Sequence, residues 1–241
     1  MSTGPALAAP LTHLTELATA EACLNADLAG RETDWAQSPS GLPGWSRAQL
    51  VGHLAGSALG LVNLCDWAAT GDKSPMYPSP EVRAAEIDDR AAMPWPDLVD
   101  EVSAAGIALG ARLATLREPV ATRSLMLASG AVISPAEIAA IRIREIEIHR
   151  VDLVAEYQPV DWSHAFTLRT LSQLTPFFRE KREVGVRVLR CVDSGSCWTV
   201  GDDGPDLWGT EPDLLAWLIG RPHGPLRTSD DSPLPDSPVW V

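Results

Sequence analysis

Arg144-Glu145-Ile146-Glu147-Ile148-His149-Arg150-Val151-Asp152-Leu153 is the stretch on which the reading of this chain turns. It lies inside a helical pattern that opens at Ser134-Pro135 and runs to about Tyr157. Ser134 is placed to cap the helix, Pro135 suits its first position, and Glu137 can complete a capping box. Glu145 and His149 are four residues apart, which puts them within about 40° of each other at ~100° per residue. Asp152, three residues past His149, shares that face. Apolar side chains cover most of the remaining surface, among them Ile138, Ile141, Ile143, Ile146, Ile148 and Val151. A helix apolar on nearly all sides belongs in a core, where a Glu and a His need compensation. Two readings are open from this stretch alone. The pair can bond to each other within the helix, or it can hold a divalent metal with a third ligand from elsewhere.

Composition narrows the function. The chain has 241 residues, 45% of them hydrophobic, room for one large domain or two small ones with a substantial core. A net charge of −13 argues against nucleic acid and against an anionic membrane surface as partners. No basic, then apolar, amino-terminal segment reads as a signal peptide, and no run of about 18 apolar residues reads as a membrane span. Cys23, Cys65, Cys191 and Cys197 are too few for a disulfide framework and are expected to be free thiols of a cytoplasmic protein. Cys191 and Cys197 flank a turn, the one place where a bridge could form. A monomer is expected.

Working outward from the central stretch, four long helical patterns precede residue 159. An Ala- and Leu-rich pattern spans 11–28, ended by Gly30, and a loop with two prolines covers 35–44. Ser46 and Gln49 form a second capping box, opening a long helix with Leu50, Leu54, Leu61, Leu64 and Trp67 at helical spacing and Gly71 at its end. His53 lies on this helix. Gly56 and Gly60 beside it weaken the helix by about 1 kcal/mol each relative to Ala, so either another helix packs closely there or a ligand needs the space beside His53. Ser79-Pro80-Glu81 starts a shorter helix to about Ala92, and Asp97 to Leu116 is another long one. A short hairpin is expected around Ser129-Gly130. The long helices suggest an antiparallel bundle over 1–159.

From 160 to 241 the texture changes to a small α/β domain. Trp162–Arg182 reads as helix, bent or broken by Pro176. Residues 184–190 and 197–200 alternate as two strands of a hairpin, and Asp206-Leu207-Trp208 reads as a third strand. Thr210, with Asp213 three residues on, caps a helix ended by Gly220, and Val239-Trp240-Val241 could add an edge strand.

His53 from one helix, with Glu145 and His149 from another, is the candidate metal set. Two imidazoles and a carboxylate leave a coordination position open, as a catalytic rather than a structural zinc site does. Asp152 can orient His149 or serve as an ordinary helix-pairing carboxylate. Cys65 lies twelve residues past His53 and about 120° around the helix, a poor fourth ligand. His13, His164 and His223 have no comparable setting.

Several segments in order carry a family resemblance: Gly44-Trp45-Ser46 with His53-Leu54, Asn63 to Gly71, Pro75 to Glu81, Arg144-Glu145 with His149 and Val151-Asp152-Leu153, Gly220-Arg221, and Pro238 to Val241. Together they resemble mycothiol-dependent maleylpyruvate isomerase. The resemblance implies an amino-terminal DinB-like metal-binding four-helix bundle joined to a smaller carboxy-terminal α/β domain. It implies zinc, or another divalent metal, on His53, Glu145 and His149, and mycothiol as the thiol cofactor. It further implies that Arg221 of the second domain is needed for activity, where the plain alternative is a cation at the end of its helix. Arg83 is a weaker candidate for a substrate carboxylate, against a surface salt bridge. The implied activity is isomerisation of maleylpyruvate, a small dicarboxylate, to fumarylpyruvate in gentisate catabolism. A thiolate would add to the cis double bond, allow rotation and leave. A mycothiol S-transferase acting on another electrophile, and a non-catalytic metal-binding module, are the competing readings.

Overall fold

The structure, a computed structural model, describes residues 13–116, 123–181 and 184–238. The chain divides into two compact units, Met1–Ala155 and Glu156–Val241.

In the first unit, helices α1 (Leu14–Leu28), α3 (Arg47–Thr70), α5 (Trp95–Thr115) and α6 (Ile138–Asp152) form a bundle. α1 packs on α5 and α6, and α3 packs on the same two, closing the ring. α4 (Pro80–Ala91) lies outside against α3. The capping signals act as expected. Ser46 and Gln49 close a reciprocal box at the start of α3, Gly71 ends it at φ 89°, and Ser79 accepts from Val82 N at the start of α4. Ser134 and Glu137 form their box on a single 3-10 turn, Pro135–Glu137, which leads into α6. Strands β1 (Leu125–Met126) and β2 (Val132–Ile133) make the hairpin around Gly130. α3 is long and apolar enough to cross a membrane by composition alone, but 78% of that window is buried in the bundle.

Glycines explain how α4 comes so near. A Cβ at Gly52 would lie 3.0 Å from Arg90 Cβ and 3.2 Å from the Ile87 carbonyl. At Gly60 it would meet Met76, and at Gly56 the Arg90 guanidinium. The stripe is therefore a packing surface, which decides between the two explanations for Gly56 and Gly60.

Two local expectations are corrected. The 35–44 loop begins with a short helix, α2 (Thr33–Gln37), held by Trp35 edge-on to Trp95 and under the guanidiniums of Arg31 and Arg47. And α6 stops at Asp152 rather than near Tyr157. The carbonyls that a longer helix would use are taken by other donors. Gly41 N donates to Asp152 O at 2.7 Å, while Arg47 donates to Leu153 O at 2.6 Å and to Val154 O at 3.4 Å. Val154 then turns away at φ 50°.

The second unit is a four-stranded sheet in the order β4-β3-β5-β6. Its strands are β3 (Val188–Cys191), β4 (Cys197–Thr199), β5 (Asp206–Gly209) and β6 (Arg227–Thr228), with β3 and β5 parallel. Helices α7 (His164–Lys181) and α8 (Glu211–Leu218) pack on it. Leu189, Trp198 and Leu207 form the buried cross-strand row. α7 continues through Pro176 without a break. Thr210 caps α8, its hydroxyl accepting from Asp213 N. β6 is a fourth strand that its two residues do not announce. The expected edge strand at 239–241 lies outside the described residues. All four cysteines are free.

Candidate metal centre

His53 sits on the second turn of α3, Glu145 and His149 one turn apart on α6, and α3 and α6 pack together. One ligand atom from each of the three lies within 4.8 Å of the others. His53 Nε2 is 3.2 Å from Glu145 Oε2, and His149 Nε2 is 3.9 Å from the same oxygen. The two imidazoles are 5.1 Å apart, nearly perpendicular, and Trp45 packs edge-on to His53 at 5.9 Å. The histidine side chains are 9% and 12% exposed and Glu145 is 23% exposed, so the cluster is walled but reachable from one side.

The protonation states suit a cation. Burial holds the His53 imidazole below its ordinary value, helped by the charges of His149 and Arg83 and opposed by Glu145. Burial alone would raise the Glu145 carboxyl. The hydrogen bond from His53, with the electrostatic pull of the neighbouring His53, His149 and Arg144 groups, overcomes it and holds the carboxyl far below the usual range. A neutral imidazole and an ionised carboxylate are what a divalent ion requires. The His149 ring is oriented: its Nδ1 donates to Asp152 Oδ2 at 2.9 Å, leaving Nε2 bare toward Glu145. Asp152 is buried at 3% exposure, so it is no solvated surface carboxylate. The donor set fits zinc, with two nitrogens, one oxygen and an accessible side.

Residues invisible to a local reading brace this cluster. Arg142, fully buried on α6, donates from Nε to Glu21 on α1 at 2.8 Å and from Nη1 to Leu54 O on α3 at 2.7 Å. It thereby ties three helices together next to His53. Gly106 makes room, since a Cβ there would lie 2.6 Å from the Glu21 carboxyl. No spacing rule could have linked Glu21 to Arg142. The buried apolar context of an arginine was the one available signal.

Of the remaining candidates, Arg83 lies at the cluster: its Nη2 is 3.2 Å from His53 Nδ1, and its guanidinium is 5.8 Å from the Tyr77 ring. Arg221 belongs to the second unit. There its backbone N donates to Ala216 O and its Nη1 to Ile219 O at 2.7 Å, closing the end of α8. Cys65 is buried, and burial beside Asp66 pushes its thiol up to about 12, so it offers no thiolate at neutral pH.

The profile of the family described as the mycothiol maleylpyruvate isomerase N-terminal domain matches residues 15–154. Two solved structures are similar over 100% of this chain and 100% of their own, each at 25% identity and a TM-score of 0.89. One is a crystal structure of the mycothiol-dependent maleylpyruvate isomerase, the other a histidine-to-alanine mutant of it. No curated protein matches the chain.

Proposed function

Because this chain belongs to the mycothiol maleylpyruvate isomerase N-terminal domain family, we propose that it is a mycothiol-dependent maleylpyruvate isomerase. The observation that carries this reading is the convergence of His53, Glu145 and His149 from two helices onto one partly open cluster. A divalent ion, for which zinc fits the donors best, would be held by these three residues and would lower the pKa of the mycothiol thiol toward neutrality.

The chain's own residues supply the rest. Asp152 keeps the His149 proton on Nδ1, so that Nε2 stays available. The bundle walls around His53, with Trp45 edge-on to its ring, limit water at the cluster. In the proposed reaction the mycothiol sulfur adds to the alkene carbon β to the ketone, and the electron pair moves onto the carbonyl as an enolate. The former double bond is then single and rotates. Collapse of the enolate expels the thiolate and leaves the trans alkene, so thiol is neither consumed nor oxidised. A guanidinium is the natural partner for the substrate carboxylates and the developing enolate. Arg83 stands beside His53, and the family resemblance puts forward Arg221 for the same task. Four free thiols, none of them part of the His53–Glu145–His149 cluster, suit a reducing cytoplasm and an external thiol cofactor.

The test follows the ultraviolet spectrum of maleylpyruvate with the purified protein, with and without mycothiol. Conversion to fumarylpyruvate only with both supports the reading. Mycothiol-dependent consumption of other electrophiles, with maleylpyruvate untouched, would move the activity to S-transfer at the same centre. Metal content that is unchanged in His53→Ala would remove the ligand assignment.

A further inference from the structure

Three buried arginines of the first unit each have a carboxylate. Arg142 lies 2.8 Å from Glu21, Arg150 2.6 Å from Asp27, and Arg90 2.8 Å from Glu101 and 3.1 Å from Glu86. Arg144 shares α6 with Arg142 and Arg150 and immediately precedes Glu145. Its Nε is sealed from solvent without a hydrogen-bond partner, and among the described residues no carboxylate pairs with its guanidinium. The residue as a whole is only half-buried, so part of the side chain remains reachable.

An arginine stays charged at physiological pH, so it cannot escape this setting by losing a proton. Withdrawing a guanidinium from water without a countercharge is expensive. Ile141, three residues before it, and Ile148, four after it, share its side of α6 and offer no acceptor. The acids whose charge reaches it, Glu145 and Glu137, are engaged elsewhere. Glu145 lies 3.2 Å from His53 Nε2, and Glu137 accepts from Ser134 at 2.7 and 2.9 Å. At Arg144 burial outweighs the fields of both. Arg83 and Arg221 are in use, with Arg83 Nη2 at 3.2 Å from His53 Nδ1 and Arg221 Nη1 donating to Ile219 O at 2.7 Å. A half-buried cation left without a partner beside a functional cluster weakens the fold, and such groups persist where a ligand needs them.

We propose that Arg144 is the carboxylate anchor of the site, one residue along α6 from Glu145. A substrate carboxylate supplies the countercharge that the fold withholds, and a guanidinium edge holds it through two parallel hydrogen bonds. An anchor of this kind suits cis–trans isomerisation, because one end of the molecule stays fixed while the other swings about the transient single bond. The role rests on the isomerase reading above, but the affinity for a small dicarboxylate belongs to Arg144 itself and is measured separately from turnover.

The test compares the full chain as wild type, Arg144→Met and Arg144→Lys, with zinc content and circular dichroism checked in each. Calorimetry measures the binding of fumarate as a dicarboxylate probe, thermal unfolding is recorded without it, and KM and kcat are determined for maleylpyruvate with mycothiol. Arg144→Met should bind fumarate about 10- to 100-fold more weakly, the span for losing a charged hydrogen bond, and should raise KM by a similar factor with kcat changed less. Arg144→Lys keeps the charge without the fork and should recover part of the loss. The Tm of Arg144→Met should stay level or rise, because an unpaired buried charge has been removed. Unchanged fumarate affinity in a folded, zinc-replete Arg144→Met protein would overturn the anchor. A Tm lowered by several degrees would overturn it as well, by assigning the guanidinium to the fold. Fumarate binding that depends on Arg144 in a wild type that leaves maleylpyruvate untouched would sink the isomerase reading and keep the anion site. A wild type without affinity for fumarate would remove the anchor whatever its turnover.

Discussion

Asp152→Ala should weaken zinc binding by about 10- to 100-fold, the span typical of removing a carboxylate that orients a ligating histidine. The structure shows why the effect should be of that size. Asp152 Oδ2 accepts from His149 Nδ1 at 2.9 Å, and the Asp152 side chain is only 4% exposed, so water cannot readily stand in for it. The carboxylate sets the tautomer that bares Nε2 and places a negative charge beside the ring. The loss corresponds to about 1.4–2.7 kcal/mol. Asp152→Asn separates the two effects, because the amide oxygen can still accept from Nδ1 while the charge is gone. It should fall nearer the low end. The Asp152 backbone carbonyl, which receives Gly41 N at 2.7 Å, is untouched by either change, so the end of α6 should hold. The assay is zinc competition on metal-free protein at fixed pH, with circular dichroism as the control for folding. A folded Asp152→Ala protein with wild-type zinc affinity would refute the orienting role and leave Asp152 as a helix-pairing carboxylate.

Glu21→Gln should destabilise the first unit by about 3–5 kcal/mol in chemical unfolding, because it leaves the buried Arg142 guanidinium without its countercharge; a cost below about 1 kcal/mol would mean that water screens the pair. Asp206, buried between Arg190 and Arg187, has its carboxyl held below its ordinary value near 3.8, chiefly by the Arg190 hydrogen bond. Its stabilisation should be complete above that value and fade as pH falls through the lower folded one, so Asp206→Asn should flatten acid unfolding of the second unit below roughly pH 5. Replacing Cys23 and Cys197 by Ser and Cys65 and Cys191 by Ala should preserve mycothiol-dependent turnover, and its complete loss in a folded protein would point to a protein nucleophile. Arg221→Ala should lower turnover by roughly 10² or more with metal content unchanged if the guanidinium serves the substrate; near-normal turnover with a small loss of stability would leave it as the cap of α8.

Much of this was legible where the physics is local. The Ser46–Gln49 and Ser134–Glu137 boxes, the Gly71 terminator and the four-residue spacing of Glu145 and His149 all act within a turn or two of chain. Alternation marked β3 and β4 for the same reason. What escaped was set by distant partners. Nothing near Tyr157 announces that α6 ends at Asp152, because the cause is Arg47 and Gly41, more than a hundred residues earlier. Trp35 becomes helical through Trp95, and Arg142 is explained by Glu21 and the Leu54 carbonyl. Arg83 stays open in the sequence between a substrate carboxylate and a surface salt bridge, because its distance to His53 depends on how closely α4 lies on α3.

That closeness has an evolutionary consequence. Arg83 is one turn before Ile87, whose carbonyl would lie 3.2 Å from a methyl group at Gly52. The Arg83–His53 contact, at 3.2 Å, has only a few tenths of an ångström before it ceases to be a hydrogen bond. Gly52→Ala would favour the α3 helix intrinsically by about 1 kcal/mol, yet Arg90 and the Ile87 carbonyl would have to give by a few tenths of an ångström, enough to stretch the Arg83–His53 contact. A lineage could therefore shift the guanidinium beside His53 through one small residue outside the cluster, leaving His53, Glu145 and His149 unchanged.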